Sequence, residues 1–120
     1  MVVAGQDTGF TGERLLEPHL LLLLCRKADH GYELIARLAR ADFTDGEVDP
    51  ATVYRNLRRM EREGLVGSRW EAGRSGPARR LYEVTARGRQ ALAAWSETIN
   101  RQREKLSVFL AEFERLRPQS

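Results

Sequence analysis

A mainly α, winged helix-turn-helix fold (an α+β arrangement) is predicted by three features: three apolar-periodic segments in the first half, a short pair of alternating segments at residues 65–84, and a long amphipathic C-terminal run. With 120 residues there is room for one modest core and one extra element. The expected division is an N-terminal arm (residues 1–11), a helical domain with a wing (12–84) and a C-terminal helix (85–117).

Residues 1–11 hold Gly and small polar residues without a sustained period, which predicts a mobile arm carrying Phe10. A first helix is expected over Glu13–Lys27, with Pro18 either within its first turns or marking its start after Glu17. Leu15, Leu16 and the leucines at 20–24 make it apolar almost all round. Such a helix calls for burial on two sides, which points to a subunit interface through Leu20 and Leu23. Asp29-His30-Gly31 breaks the pattern and caps a second helix, Gly31–Ala41, with Tyr32, Ile35 and Leu38 on its inner face. His30 is expected to cap or pack rather than to bind metal.

Asp49-Pro50 opens the third helix, which should run to Gly64: the carboxylate can accept orphan N–H groups, and proline at the first position sacrifices none. At about 100° per residue, Val53, Leu57 and Met60 share one face, while Ala51, Arg55, Arg58, Arg59 and Arg62 share the other. One face is a core and the other is cationic. Residues 65–71 and 79–84 then read as a hairpin with a basic tip around Arg74 and Ser75. Val66, Trp70, Tyr82 and Val84 share one parity and Leu65 and Leu81 the other, which leaves the inward face open.

Thr85 is a predicted N-cap for a last helix from Ala86 to about Arg117. Leu92, Trp95, Ile99, Gln102, Leu106, Phe109, Phe113 and Leu116 follow alternating steps of three and four, an a/d seam that suits pairing with a second chain; Gln102 would help fix its register. The alternative is a helix folded back on its own domain.

Charge sharpens the reading. Net charge is +3, yet residues 49–90 hold ten arginines against five acids, whereas the rest holds ten basic residues against twelve acids. Clustered cations suit a polyanion docking on one surface. Cys25 is alone, so a disulfide framework is excluded and a reducing, cytoplasmic setting is expected. The run 20–24 is too short to span a bilayer, and the N-terminus lacks the features of a signal peptide. Neither a phosphate loop nor metal-ligand spacing is present, and Cys25, His19 and His30 do not form a recognised set; no enzyme activity, metal or cofactor is expected.

Together, HGYEL (30–34), DPATVYRNLRRMEREGLV (49–66), SRWE (68–71) and GPARRLYEVTARGRQAL (76–92) closely resemble the PadR-like transcriptional regulators over about residues 13–100. The resemblance implies a winged helix-turn-helix that binds double-stranded DNA as a homodimer at a palindromic operator, mostly in repression. The third helix would be the recognition helix, with Ala51, Thr52 and Arg55 meeting base edges and Tyr54 reaching a phosphate. Arg58 and Arg59 would contact the backbone, and Tyr32 would lie at a phosphate-binding helix N-terminus. Arg74 would enter the minor groove, with Ser75 beside it and Arg79 and Arg80 as flanking clamps on opposite faces. Half-sites should lie about 34 Å apart or a multiple of this. Trp95 has two readings: a seam residue, or a stacking surface for a small planar aromatic effector, as in multidrug-responsive relatives. A winged-helix protein-interaction module without specific DNA binding is the competing class.

Overall fold

Leu20, Leu21, Leu23 and Leu24 are all but inaccessible to solvent, and the architecture is organised around enclosing them. The structure is a computed structural model and describes residues 15–41, 48–73 and 76–118. Its elements are α1 (Leu16–Arg26), β1 (Asp29–His30), α2 (Gly31–Arg40), α3 (Pro50–Arg62), β2 (Val66–Glu71), β3 (Arg79–Val84) and α4 (Ala86–Leu116). The fold is a winged helix-turn-helix: three helices, a small antiparallel sheet in the order β1-β3-β2, and a 31-residue helix about 46 Å long. The expected arm with Phe10, the Glu13 start of the first helix and the loop 42–47 lie outside the described residues.

Pro18 falls within the first turn of α1, where its missing N–H breaks no helical bond. The expectation that Leu20 and Leu23 serve a subunit interface is corrected: they are 0% and 3% exposed within the chain's own core. Helices α2, α3 and α4 and strand β3 all pack on α1, so the chain itself supplies the second side of burial. Leu22 and Cys25, both half-buried, lie on the opposite arc together with His19.

Asp29-His30 does more than cap α2. It forms a third strand, pairing Asp29 with Tyr82 and His30 with Leu81. Asp29 is buried, and its carboxylate accepts Arg37 Nη1–H at 3.1 Å; Arg37 Nη2 in turn donates to the Leu23 carbonyl at 2.8 Å. His30 stands at the N-cap without a side-chain cap bond. The inner face of α2 is Leu34 and Leu38 with Ile35 beside them, whereas Tyr32 is 71% exposed, a correction to its expected inward position. In the first turn the helix period carries Gly31, not Tyr32, to the core side.

α3 buries Val53, Leu57 and Met60 as its spacing predicts, together with Asn56. It stops two residues short of Gly64, which takes φ +78° and lets Leu65 N–H reach the Met60 carbonyl at 2.9 Å, a glycine C-cap. In the hairpin, Val66 and Tyr82 point inward, Val84 packs on the core, and Trp70 of the same parity runs past the core's edge into solvent. Burial raises the pKa of the Tyr82 hydroxyl above its ordinary value, partly countered by nearby Arg80.

Thr85 caps α4 as expected, accepting Gly88 N–H at 3.0 Å and donating to the Gly64 carbonyl at 2.6 Å. The cap stitches α4 to the end of α3, and Gly88 is where the backbones meet: a Cβ there would collide with the Leu65 carbonyl oxygen and the Val84 side chain. Gly88→Ala is therefore expected to cost about 1–3 kcal/mol. In denaturant unfolding the midpoint should fall with the slope unchanged; an unaltered midpoint would contradict the close crossing.

Candidate nucleic-acid interface

The first turn of α3 is exposed and internally organised. Thr52 donates its hydroxyl to Asp49 Oδ2 at 2.7 Å and accepts from Arg55 Nη2 at 3.3 Å, which sets Asp49, Thr52 and Arg55 in a hydrogen-bonded row. The expected cap bond from Asp49 to the backbone is not formed; the carboxylate holds Thr52 instead. The Thr52 hydroxyl, above all, keeps the Asp49 pKa below the ordinary carboxylate value; desolvation opposes it, and the nearby Ala51 and Thr52 N–H groups and the charge of Arg55 add to the lowering. Ala51, Arg55, Arg58 and Arg62 are exposed, which agrees with the helical period.

Arg59 departs from it. It lies only partly exposed and is clasped by two carboxylates, Glu17 Oε1 of α1 and Glu63 Oε1, each at 3.0 Å. Its Nη2 also donates to Asn56 Oδ1 at 3.0 Å. Burial works against its charge, yet the two glutamates outweigh this and raise its pKa above the usual guanidinium value. Arg59 thus ties α3 to α1 rather than standing on the solvent face with Arg55 and Arg58. The signal for this is absent from the helix's own pattern, because Glu17 lies 42 positions earlier.

Beside this turn, Tyr54 packs its ring against Gly31 at the start of α2, so closely that a Cβ on Gly31 would strike the ring. Tyr32 projects from the same helix start. The wing is pinned on both sides. Ser68 donates to Glu61 Oε2 of α3 at 2.6 Å, and His30 Nε2 lies 2.9 Å from Glu71 Oε1. Arg79 is exposed, whereas Arg80, opposite Trp70 in the ladder, is half-buried with its guanidinium 5.0 Å from the indole centroid. The alternation that puts the two arginines on different faces is therefore realised. Arg74 and Ser75 lie outside the described residues.

α4 divides into two parts. Leu92 and Trp95 pack against the core, and the Trp95 indole N–H donates to Glu17 Oε2 at 2.8 Å. Beyond them Ile99, Gln102, Leu106, Phe109, Phe113 and Leu116 are exposed, with Phe109 at 66% and Leu116 at 80%. Between α1 and α4 runs an open groove of about 610 Å³, lined by residues such as Leu22, Cys25, Leu92, Ser96, Ile99 and Arg103. His19 borders it, and burial lowers its pKa. Among the described residues no group of His, Cys, Asp and Glu could hold a metal ion, and no helix is long and apolar enough to cross a membrane.

Comparison with known proteins agrees with this arrangement. Over 79 residues the chain is 33% identical to a Mycobacterium tuberculosis protein named probable transcriptional regulator Rv1176c, the match covering 65% of this chain and 42% of the relative. The chain thus spans less than half the length of that curated relative. The structure of a PadR-like transcriptional regulator from Bacillus cereus superposes with a TM-score of 0.68 at 27% identity, covering 80% of this chain and 91% of the other. Bacillus subtilis PadR, solved in complex with operator DNA, shares the fold at a TM-score of 0.62 and 22% identity, over 68% of this chain and 46% of the other. The model of the Transcriptional regulator PadR-like family matches residues 20–94, from the leucine run of α1 through the wing and into α4. The chain belongs to the PadR-like family, a family of transcriptional regulators rather than enzymes.

Proposed function

We propose that the chain is a homodimeric repressor that binds a palindromic operator in double-stranded DNA, with residues 12–84 on DNA and 85–117 forming the dimer. The observation that carries this reading is the exposed first turn of α3, where Thr52 holds Arg55 in a fixed row with Asp49. Helix-turn-helix proteins read bases with this part of the helix, and a pre-oriented guanidinium suits the paired acceptors of guanine. Ala51 would leave space for the groove floor, while Tyr32, Tyr54 and Arg58, with Arg79 on the wing, would meet phosphate oxygens. Arg59 belongs to the scaffold in this reading, because its charge is already matched by Glu17 and Glu63.

Dimerisation is supported by the apolar residues that α4 leaves in water. Phe109, Phe113 and Leu116 continue the step of Leu92, Ile99 and Leu106, and a second copy is the partner whose own helix repeats that step. Release by a small planar aromatic effector would act at Trp95, which sits half-buried on α4.

Arg55→Ala is expected to lower operator affinity by about 1–3 kcal/mol and to relax one base position. Binding profiles across operator variants check this, and an unchanged profile removes Arg55 from base reading. Ile99→Asp combined with Phe109→Asp should give a monomer in sedimentation and abolish operator binding, because two charges would be left in the seam. A variant that still sediments as a dimer would contradict the assignment. Planar cationic dyes should quench tryptophan fluorescence in the chain but not in Trp95→Ala, where only Trp70 remains; quenching retained in that variant would rule out a Trp95 pocket.

A further inference from the structure

Glu17 is the one residue of α1 whose two carboxylate oxygens hold different helices. Oε1 meets Arg59 Nη2 of α3 at 3.0 Å, and Oε2 accepts the Trp95 indole N–H of α4 at 2.8 Å. Its side chain is only 16% exposed, so both interactions are sheltered from competing water. The connection continues inward from Arg59. Its Nη2 donates to Asn56 Oδ1 at 3.0 Å, and Asn56, which is buried, donates Nδ2–H to the Thr52 carbonyl at 2.9 Å. The Thr52 hydroxyl in turn accepts from Arg55 Nη2 at 3.3 Å. A continuous hydrogen-bonded path therefore runs from Trp95 on the long helix to the exposed first turn of α3.

We propose that Glu17 is a positioning residue that fixes the angle between the recognition helix and the long helix, and thereby the half-site spacing that the dimer accepts. This rests on the DNA-reading function proposed above. Apolar packing between α1, α3 and α4 is non-directional and tolerates sliding, whereas charge-assisted hydrogen bonds constrain both distance and angle. The lever is long enough to matter. With recognition helices about 34 Å apart, each lies roughly 17 Å from the twofold axis, and a tilt of about 5° moves it about 1.5 Å, nearly half the rise of one base pair. Operator spacing is thus sensitive to a hinge far from DNA.

The test compares the full chain with Glu17→Ala, Glu17→Gln and Trp95→Phe on operators whose half-sites are moved apart one base pair at a time. Thermal midpoint and sedimentation are followed in parallel. The chain itself should prefer one spacing. Glu17→Ala and Trp95→Phe should each erode that preference by about tenfold while affinity for an isolated half-site holds, and the double variant should erode it no further, because both break one path. Glu17→Gln keeps a carbonyl oxygen for Trp95 and should fall between. Trp95→Phe leaves the Glu17–Arg59 pair in place and carries the same expectation if Glu17→Ala fails to fold. A spacing preference that survives in both folded, dimeric variants, or effects that simply add, would overturn the positioning role alone. The absence of any spacing-dependent binding by the unaltered chain would overturn the DNA-reading function on which it rests.

Discussion

At about 100° per residue, Leu20, Leu21, Leu23 and Leu24 cover an arc of roughly 160°, wider than the ~100° stripe of an ordinary surface helix. All four are buried, so α1 has to be enclosed by several elements at once, and it is: α2 and α3 on one side, β3 and α4 on the others. A fully buried leucine contributes about 1.5–3 kcal/mol, so this enclosure is a substantial apolar gain, and through it α3, β3 and α4 share one frame. Glycine is needed where that frame closes most tightly. Gly88 admits the Leu65 carbonyl under α4, and Gly31 admits the Tyr54 ring at the start of α2.

Polar contacts then orient what the leucines hold together. Asp29 and Arg37 fasten the α1–α2 turn, Ser68–Glu61 and His30–Glu71 fasten the wing, and Glu17 joins α3 to α4. None of these joins neighbours on a single helix; each spans two elements. Apart from these contacts, Arg55 and Arg58 are exposed on α3, Arg79 is exposed on β3, and an apolar seam is exposed at the far end of α4. A cationic turn alone would support general affinity for phosphate; in the proposed dimer the seam would add a twofold partner, and hence spacing.

Much of this was legible in the sequence because it is periodic or local. Val53, Leu57 and Met60 follow the helical repeat, Thr85 is a local cap, and the hairpin shows alternation on either side of a Gly-Pro connection. The failures have a common physical cause. Two residues cannot display a period, so the sequence of β1 shows only a cap; its strand character comes from its pairing with β3, some fifty positions later. The leucine run alone suggests an outward role for Leu20 and Leu23, because a small domain rarely encloses a helix so fully, yet this one places four elements around it. The scaffold role of Arg59 depends on Glu17, and the anchoring of Trp95 depends on the same residue 78 positions away. Tertiary partners of that kind leave no trace in the spacing of either segment.

The central claim is that two copies of the α3 turn, joined through α4, read a symmetric site. Selection of fragments bound by the chain from genomic DNA tests it most directly. The account predicts enriched fragments that share an inverted repeat whose half-sites lie about one helical turn, near 34 Å, or a multiple of this apart. Enrichment of a single unpaired motif, or no sequence enrichment at all, would contradict it.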